Sequence, residues 1–203
     1  AQSIASLRER AGHGLSDHEF ASEWHPGREY DVVVGITRSG STTEVLDALR
    51  RVPGGTRIVA VTGVPGSEVA DVADETLVLA HADERSVVQT RFPTTVLATV
   101  RALLGEDLSS AIAQAREPAA LPDLDALEHF VHLGSGWTRG LADEAALKVR
   151  EAAQAHSESY PELDYRHGPI SVADERTLVR WFGAADPSVV EAVRATGATV
   201  VAD

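Results

Sequence analysis

No part of this chain narrows its fold as much as residues 31–49, DVVVGITRSGSTTEVLDAL. The β-branched run from Asp31 to Ile36, entered from the turn-forming His25-Pro26-Gly27, predicts a short strand buried on both faces. Thr37-Arg38-Ser39-Gly40-Ser41-Thr42 then packs four hydroxyls, a guanidinium and a glycine into six positions. Val45, Leu46 and Leu49 follow at helical spacing, with Glu44 and Asp47 early in the helix, where its positive dipole end favours acidic side chains. A helix start offers unpaired N–H groups and partial positive charge, and a hydroxyl-rich turn with one glycine allows close approach. The unit is therefore suited to an anion, above all a phosphate. The competing explanation, that Ser41 or Thr42 merely caps the helix, accounts for one or two of the four hydroxyls.

The same alternation continues on both sides. AQSIASLRERAG at the start is helical in pattern, with Ile4, Leu7 and Ala11 on one face, Gly12 and Gly14 break it, and HEFASEW alternates like a strand. After a turn at Pro53-Gly54-Gly55, RIVAVTG predicts a buried strand, Glu68 to Ala73 a small-residue helix, ETLVLA a strand, and Ser86 to Leu104 a helix. LSSAIAQAREPAALP, with Pro118 and Pro122, reads as a short helix and a connection. Beyond it, ALEHFVHL predicts a helix-to-strand passage, GSGWTRG a turn, and LADEAALKVREAAQAHSES one long alanine-rich helix. TLVRWFG and ATVVAD are further strands, with a helix from Asp186 to Thr196 between them. Strand–helix alternation predicts an α/β fold with parallel sheets flanked by helices. The expected division is a first lobe at 1–104, a connecting segment at 105–122 and a second lobe at 123–203 on the same plan. The first is expected to lack its opening strand and the second its C-terminal part.

Composition removes several function classes. A formal charge of −13 with no concentration of Lys and Arg argues against nucleic acid or anionic membrane as the partner. No apolar run reaches the ~18 residues of a membrane span. With no cysteine among 203 residues, disulfide scaffolding is excluded and a cytoplasmic home is the expectation.

Two places in the second lobe carry possible chemistry. Glu144, Lys148, Glu151 and Ala155 are spaced four, three and four apart, so on one helix two carboxylates flank an ammonium along one stripe. An exposed ion-pair ladder of this kind contributes only ~0.3–0.5 kcal/mol per pair and needs no function. A carboxylate beside an ammonium, facing a cleft, is instead well placed as a general base. Tyr165-Arg166-His167-Gly168-Pro169 holds an imidazole before a Gly-Pro turn, a pattern that is structural or solvated more often than catalytic. No histidine spacing resembles a zinc site: His129 and His132 are three apart, with no third ligand nearby in sequence.

TRSGSTTEVLDALR, ADERSVVQTRFPTT and above all DEAALKVREAAQAHSESYPELDYRHGPI resemble the sugar isomerase domain family, whose members bind phosphosugars, and within it the isomerase half of glucosamine-6-phosphate synthases. The resemblance covers nearly the whole chain, with three motifs in order. It implies two repeated lobes, each a five-stranded parallel sheet flanked by helices, and a homodimer with shared active sites. It makes Thr37, Arg38, Ser39 and Thr42 the phosphate loop, with Val87 (through its backbone), Gln89 and Thr90 lining the sugar pocket. Glu151 becomes the base that moves a proton between C1 and C2, Lys148 its neighbour, and His167 the ring-opening residue, supplied by the partner subunit. Arg38 stands where the synthases have glutamine.

The implied activity is that of an aldose–ketose phosphosugar isomerase, or an amino-sugar-phosphate deaminase/isomerase, acting on a hexose or hexosamine 6-phosphate with no metal or organic cofactor. The chain has no cysteine nucleophile with which to release ammonia from glutamine. A second reading is a non-catalytic phosphosugar sensor, which has no need of both Glu151 and His167. A third treats Gly134-Ser135-Gly136 as a dinucleotide fingerprint, but Gly140 is one place late and Trp137 is bulky where a pyrophosphate would approach.

Overall fold

A computed structural model describes residues 1–117 and 122–202; Pro118 of the connecting segment and Asp203 lie outside the described residues. Within these, two compact units form, one from 17–108 and one from 2–16 together with 109–117 and 122–202. The opening helix α1 (Gln2–Arg10) thus packs with the second unit rather than with 17–104. Its burial is also not the expected one, since Ser3 and Ala5 are the buried residues. A Cβ on Gly140 would stand 2.4 Å from Ser3 Oγ, so this close crossing needs glycine there.

The first unit holds three parallel strands in the order β1-β2-β3: β1 (Val32–Ile36), β2 (Arg57–Thr62) and β3 (Glu75–Val78). Helix α2 (Thr43–Arg50) covers β1 closely, so that a Cβ on Gly35 would lie 2.9 Å from Leu49 Cδ1. Leu46, Leu49, Ala60 and Val69 form the core. The expected strand over HEFASEW is absent, and 18–24 is irregular and turn structure. The expected helix at Glu68 to Ala73 shortens to a 3₁₀ turn, Glu68–Asp71. Helix α3 begins at Arg91 and runs to Leu103, five residues later than the Ser86 expected. The apolar spacing of 86–90 misled the sequence reading because a buried carboxylate, described below, fixes the helix start. Helix α4 (Ser109–Gln114), the short helix expected after Gly105, belongs to the second unit.

The second unit holds four parallel strands in the order β5-β4-β6-β7: β4 (His129–Gly134), β5 (His156–Pro161), β6 (Thr177–Phe182) and β7 (Thr199–Val201). Three and four strands, not five, are therefore present among the described residues. Val131, Leu133, Tyr165, Val179, Trp181, Val189 and Val193 fill its core, under α6 (Glu162–Tyr165) and α7 (Pro187–Arg194). The long alanine-rich helix is a correction. Helix α5 (Arg139–Lys148) stops short, Val149–Ala153 form a π turn, and Gln154 closes it at φ +53°, a left-handed conformation uncommon for a non-glycine residue. HSESYP is then strand β5, and Ala155 is not on the helix. The reason is pairing: each residue from His156 to Pro161 takes a partner on β4, which outweighs the helical pattern upstream. The glycines of 134–136 have local explanations. A Cβ on Gly134 would meet Thr138 O at 2.5 Å, and Gly136 has φ +57°. Among the described residues no helix is long and apolar enough to cross a membrane.

Candidate functional site

In the first unit, the turn at 37–42 is organised by its own hydroxyls. Thr37 Oγ1 accepts the Gly40 N–H at 3.2 Å and lies 2.9 Å from Thr42 Oγ1; Ser39 Oγ accepts from the Ser41 N–H at 3.3 Å and the Ser41 hydroxyl at 3.2 Å. Gly40 sits at φ +67°, where a Cβ would lie 1.9 Å from Ser67 Oγ. Its carbonyl accepts the Val69 N–H at 2.8 Å, docking the turn on the next loop. Thr42 occupies the N-cap of α2, yet its side chain makes no bond to the helix. The first helical bond is Leu46 N–H to Thr42 O, 3.0 Å, and the donors of Thr43, Glu44 and Val45 stand ahead of it. Capping therefore does not explain the hydroxyls. Arg38 is anchored through its carbonyl, which accepts the Gly63 N–H at 2.9 Å and the Thr62 hydroxyl at 3.1 Å. Its guanidinium reaches Asp83 at 3.2 Å, while Nε is buried without a hydrogen-bond partner.

Asp83 brings in the second segment, 83–92. Glu84 is buried, and its carboxylate accepts the N–H groups of Thr90 (3.0 Å), Arg91 (3.3 Å) and Phe92 (2.9 Å). Burial pushes this carboxyl up, but the donors of Phe92, Thr90 and Arg91 outweigh it and hold it below its ordinary value. Glu84 thus caps α3 from outside the helix and fixes the loop that carries Val87, Gln89 and Thr90. Val87 exposes its side chain almost fully, Gln89 is half-buried, and Thr90 is exposed. Sequence reasoning assigned no role to Glu84 or Asp83. The usual capping signal lies within three residues of the helix start, and Glu84 is six to eight residues from the donors it serves.

In the second unit, the Glu144-Lys148-Glu151 stripe forms. Lys148 Nζ lies 2.5 Å from Glu151 Oε2 and 3.4 Å from Glu144 Oε1. The Lys148 side chain is 21% exposed and that of Glu151 31%. Burial pushes the Lys148 ammonium down, but Glu151 and Glu144 more than offset it and hold it above its ordinary value. Glu151 belongs to the π turn, which Arg150 ties to β5 through a 2.6 Å bond to Ser157 O. His167 is exposed, on the turn after α6, its N–H bonded to Asp164 O at 3.0 Å. Gly168 follows at φ +149°, within the range that favours glycine.

A second buried carboxylate, Glu162, was also not singled out from sequence. It accepts Trp181 Nε1 at 2.7 Å, the Asp186 N–H at 2.5 Å and the Ser135 hydroxyl at 3.2 Å, tying together the C-terminal ends of β4 and β6 and the start of α7. His132, the other member of the histidine pair noted above, points to the opposite face of β4 from His129. It is buried, and burial, with Arg180 and Arg150 nearby, pushes it down to about 4.

No protein-family model matches the chain. The glutamine–fructose-6-phosphate aminotransferase (isomerizing) of Caldanaerobacter subterraneus is 30% identical over 204 residues, 84% of this chain and 34% of that protein. The same enzyme of Aeropyrum pernix is 32% identical over 196 residues, 79% of this chain and 31% of that protein. The chain thus spans about a third of the length of these relatives. Among solved structures, glucosamine-6-phosphate deaminase from Thermotoga maritima superposes with a TM-score of 0.82 at 24% identity, over 98% of this chain and 70% of that one. The C-terminal domain of glucosamine-fructose-6-phosphate aminotransferase from Francisella tularensis gives 0.79 at 22% identity, over 98% of this chain and 67% of that one. These two likenesses concern the fold.

Proposed function

We propose, for a chain that is related to the isomerase half of glutamine–fructose-6-phosphate aminotransferases and has the sugar isomerase domain fold, that it binds a hexose or hexosamine 6-phosphate and isomerises it. The single observation that carries this reading is the start of α2. There an N-cap threonine leaves the helix uncapped, hydroxyls line the turn, and Arg38 Nε lies buried without a partner. The phosphate takes the backbone donors and the hydroxyls of Ser39 and Thr42, with Thr37 shaping the turn and Arg38 supplying positive charge. Val87, Gln89 and Thr90 line the sugar, on the loop held by Glu84.

In the isomerase reading, His167 assists ring opening. Glu151 takes the proton from C2 while the C1 carbonyl oxygen gains one, forming an enediol. Return of the proton to C1, with loss of the O2 proton, gives the ketose. Lys148 holds the Glu151 carboxylate in place through their ion pair. In the amino-sugar variant the same proton transfer gives an enolamine and then a C2 imine, and water adds to C2 so that the nitrogen leaves as ammonia and the ketose carbonyl forms. We place the protein in the cytoplasm as a homodimer of two-lobed subunits, with His167 completing the partner's site. This form of the reading assigns no role to a metal or organic cofactor.

A sensor reading draws support from the same Lys148–Glu151 pair, which occupies the carboxylate. Glu151→Gln separates the two. Isomerisation, or exchange of the substrate C2 proton with deuterated solvent, should fall by ~10²–10⁴-fold with phosphosugar binding retained. Wild-type chain that stabilises against heat with 6-phosphates yet exchanges no proton favours the sensor. Exchange at the normal rate in the variant removes Glu151 as the base. Mixing Glu151→Gln with His167→Asn subunits should restore up to about half the activity of a dimer if sites are shared, because one of two symmetric sites is repaired.

A further inference from the structure

Three metal-ligating side chains that no sequence spacing connects meet where the strands of the second sheet begin. His129 opens β4 and His156 opens β5, and the parallel register sets them opposite each other. Glu158 lies two residues along β5, on the same face. His129 Nε2 is 3.0 Å from Glu158 Oε2, His156 Nε2 is 3.9 Å from Glu158 Oε1, and the two rings stack at 4.6 Å. One ligand atom from each residue lies within 4.8 Å of the other two. The His129 side chain is 11% exposed and that of His156 is 67% exposed, so the cluster has a covered floor and an open mouth.

Behind His129 the cluster is backed by further polar groups. Its Nδ1 faces Thr177 Oγ1 at 3.5 Å, and Thr177 Oγ1 lies 3.1 Å from both Asp174 Oδ1 and Asp174 N. In front, both imidazoles turn Nε2 toward the two oxygens of one carboxylate, His129 at 3.0 Å and His156 at 3.9 Å. Three side chains of ligand type thus converge on one point at the mouth of the sheet.

We propose that His129, His156 and Glu158 bind one divalent transition-metal ion of the zinc type, with solvent completing its coordination. Two imidazoles and a carboxylate suit Zn²⁺ and its borderline neighbours. Thr177 stands behind the other ring nitrogen of the covered ligand, as partners of metal-bound histidines commonly do. Bonds of about 2.0–2.2 Å require the ligand atoms to draw together, and exposed His156 can supply the movement. The ion clamps edge strand β5 to β4 directly after the π turn that carries Glu151.

Co²⁺, whose visible absorption reports low-coordinate nitrogen and oxygen sites, is the probe. Chain stripped by a chelator should bind one Co²⁺ with a ligand-field spectrum, and Zn²⁺ should displace it. His156→Ala and Glu158→Gln should each weaken Co²⁺ binding at least tenfold, whereas His18→Ala should not. His129→Ala risks the fold, so the two less covered positions carry the test, with circular dichroism confirming that both variants are folded. Absence of stoichiometric Co²⁺ binding, or wild-type affinity in both variants, would overturn the site and leave a proton-mediated ion pair.

Discussion

Two helices of the first unit start in opposite ways. At α3, three N–H groups are filled by the Glu84 carboxylate, an anion the chain supplies to itself. At α2, the N-cap side chain turns away to pair with Thr37, and the first donors receive no side-chain cap. Both starts carry the same partial positive charge. The difference teaches that helix starts attract anions generally, and that the informative one is where the protein declines to provide its own. A start left open in this way, beside a buried and unpartnered Arg38 Nε, is better explained by a ligand than by fold stability.

The largest effect should come from closing the open start. Gly40→Val places a branched side chain at φ +67°, where Ser67 Oγ already lies 1.9 Å from any Cβ. Left-handed strain of ~1–2 kcal/mol adds to an overpacking cost of ~1–3 kcal/mol, so the turn must rearrange. Phosphosugar affinity should fall by more than about a hundredfold in calorimetric titration. Retained affinity would mean that the turn does not hold the ligand.

Emptying the filled start should act on stability first. Glu84→Ala leaves the N–H of buried Phe92 without an acceptor, while those of Thr90 and Arg91 can reach water, so the loss should be ~2–3 kcal/mol in denaturant unfolding. Acid separates this carboxylate from other groups. Glu84 is held below its ordinary value of 4.5, so its contribution is complete above that pH and is lost as pH falls through the depressed folded value. His132 titrates in a higher window. Its folded value is lowered from 6.5 to about 4, so the unfolded chain takes up the proton first, and stability declines from about pH 6.5 to about 4 and then levels. Glu84→Gln should flatten only the lower limb of the stability profile, and His132→Leu only the upper. If Glu84→Gln leaves the acid limb unchanged, another carboxylate dominates it.

What was legible in the sequence follows from how local each cause is. The unit β1–turn–α2 was readable because strand, hydroxyls and helix start lie within twenty residues and each speaks through its own propensity, but β1 is not buried on both faces as its β-branched run predicted, since Val32 and Val34 are exposed. The start of α3 was not, because Glu84 reaches it across a loop of irregular backbone. The end of α5 failed for a similar reason: 149–155 keeps alanine and helical spacing, and only pairing with β4, far away in sequence, turns His156–Pro161 into a strand. The Lys148–Glu151 pair survived that error because spacings of three and four belong to the last turns before the break. The His129, His156 and Glu158 cluster was invisible, since adjacency across parallel strands leaves no fixed spacing in the chain.

The smallest effect sharpens the comparison most. Thr42→Ala and Ser39→Ala remove hydroxyls from the open start without adding bulk. If Thr42 were a cap, its loss should cost stability by ~0.5–2 kcal/mol and leave ligand affinity alone. The structure gives the reverse expectation, because the Thr42 hydroxyl makes no bond to the helix and its partner, Thr37 Oγ1, keeps the Gly40 N–H. Stability of the unliganded chain should therefore change by less than about 1 kcal/mol, the net worth of one neutral hydrogen bond. Affinity for a sugar phosphate should weaken about tenfold, ~1.4 kcal/mol, near the lower end for a hydroxyl bonded to a charged oxygen. Inorganic phosphate, titrated in parallel, should lose the same factor, since the hydroxyls face the phosphate and not the sugar. A loss confined to the sugar phosphate would move Thr42 and Ser39 to the sugar side of the pocket, and unchanged affinity for both would return the turn to a structural role.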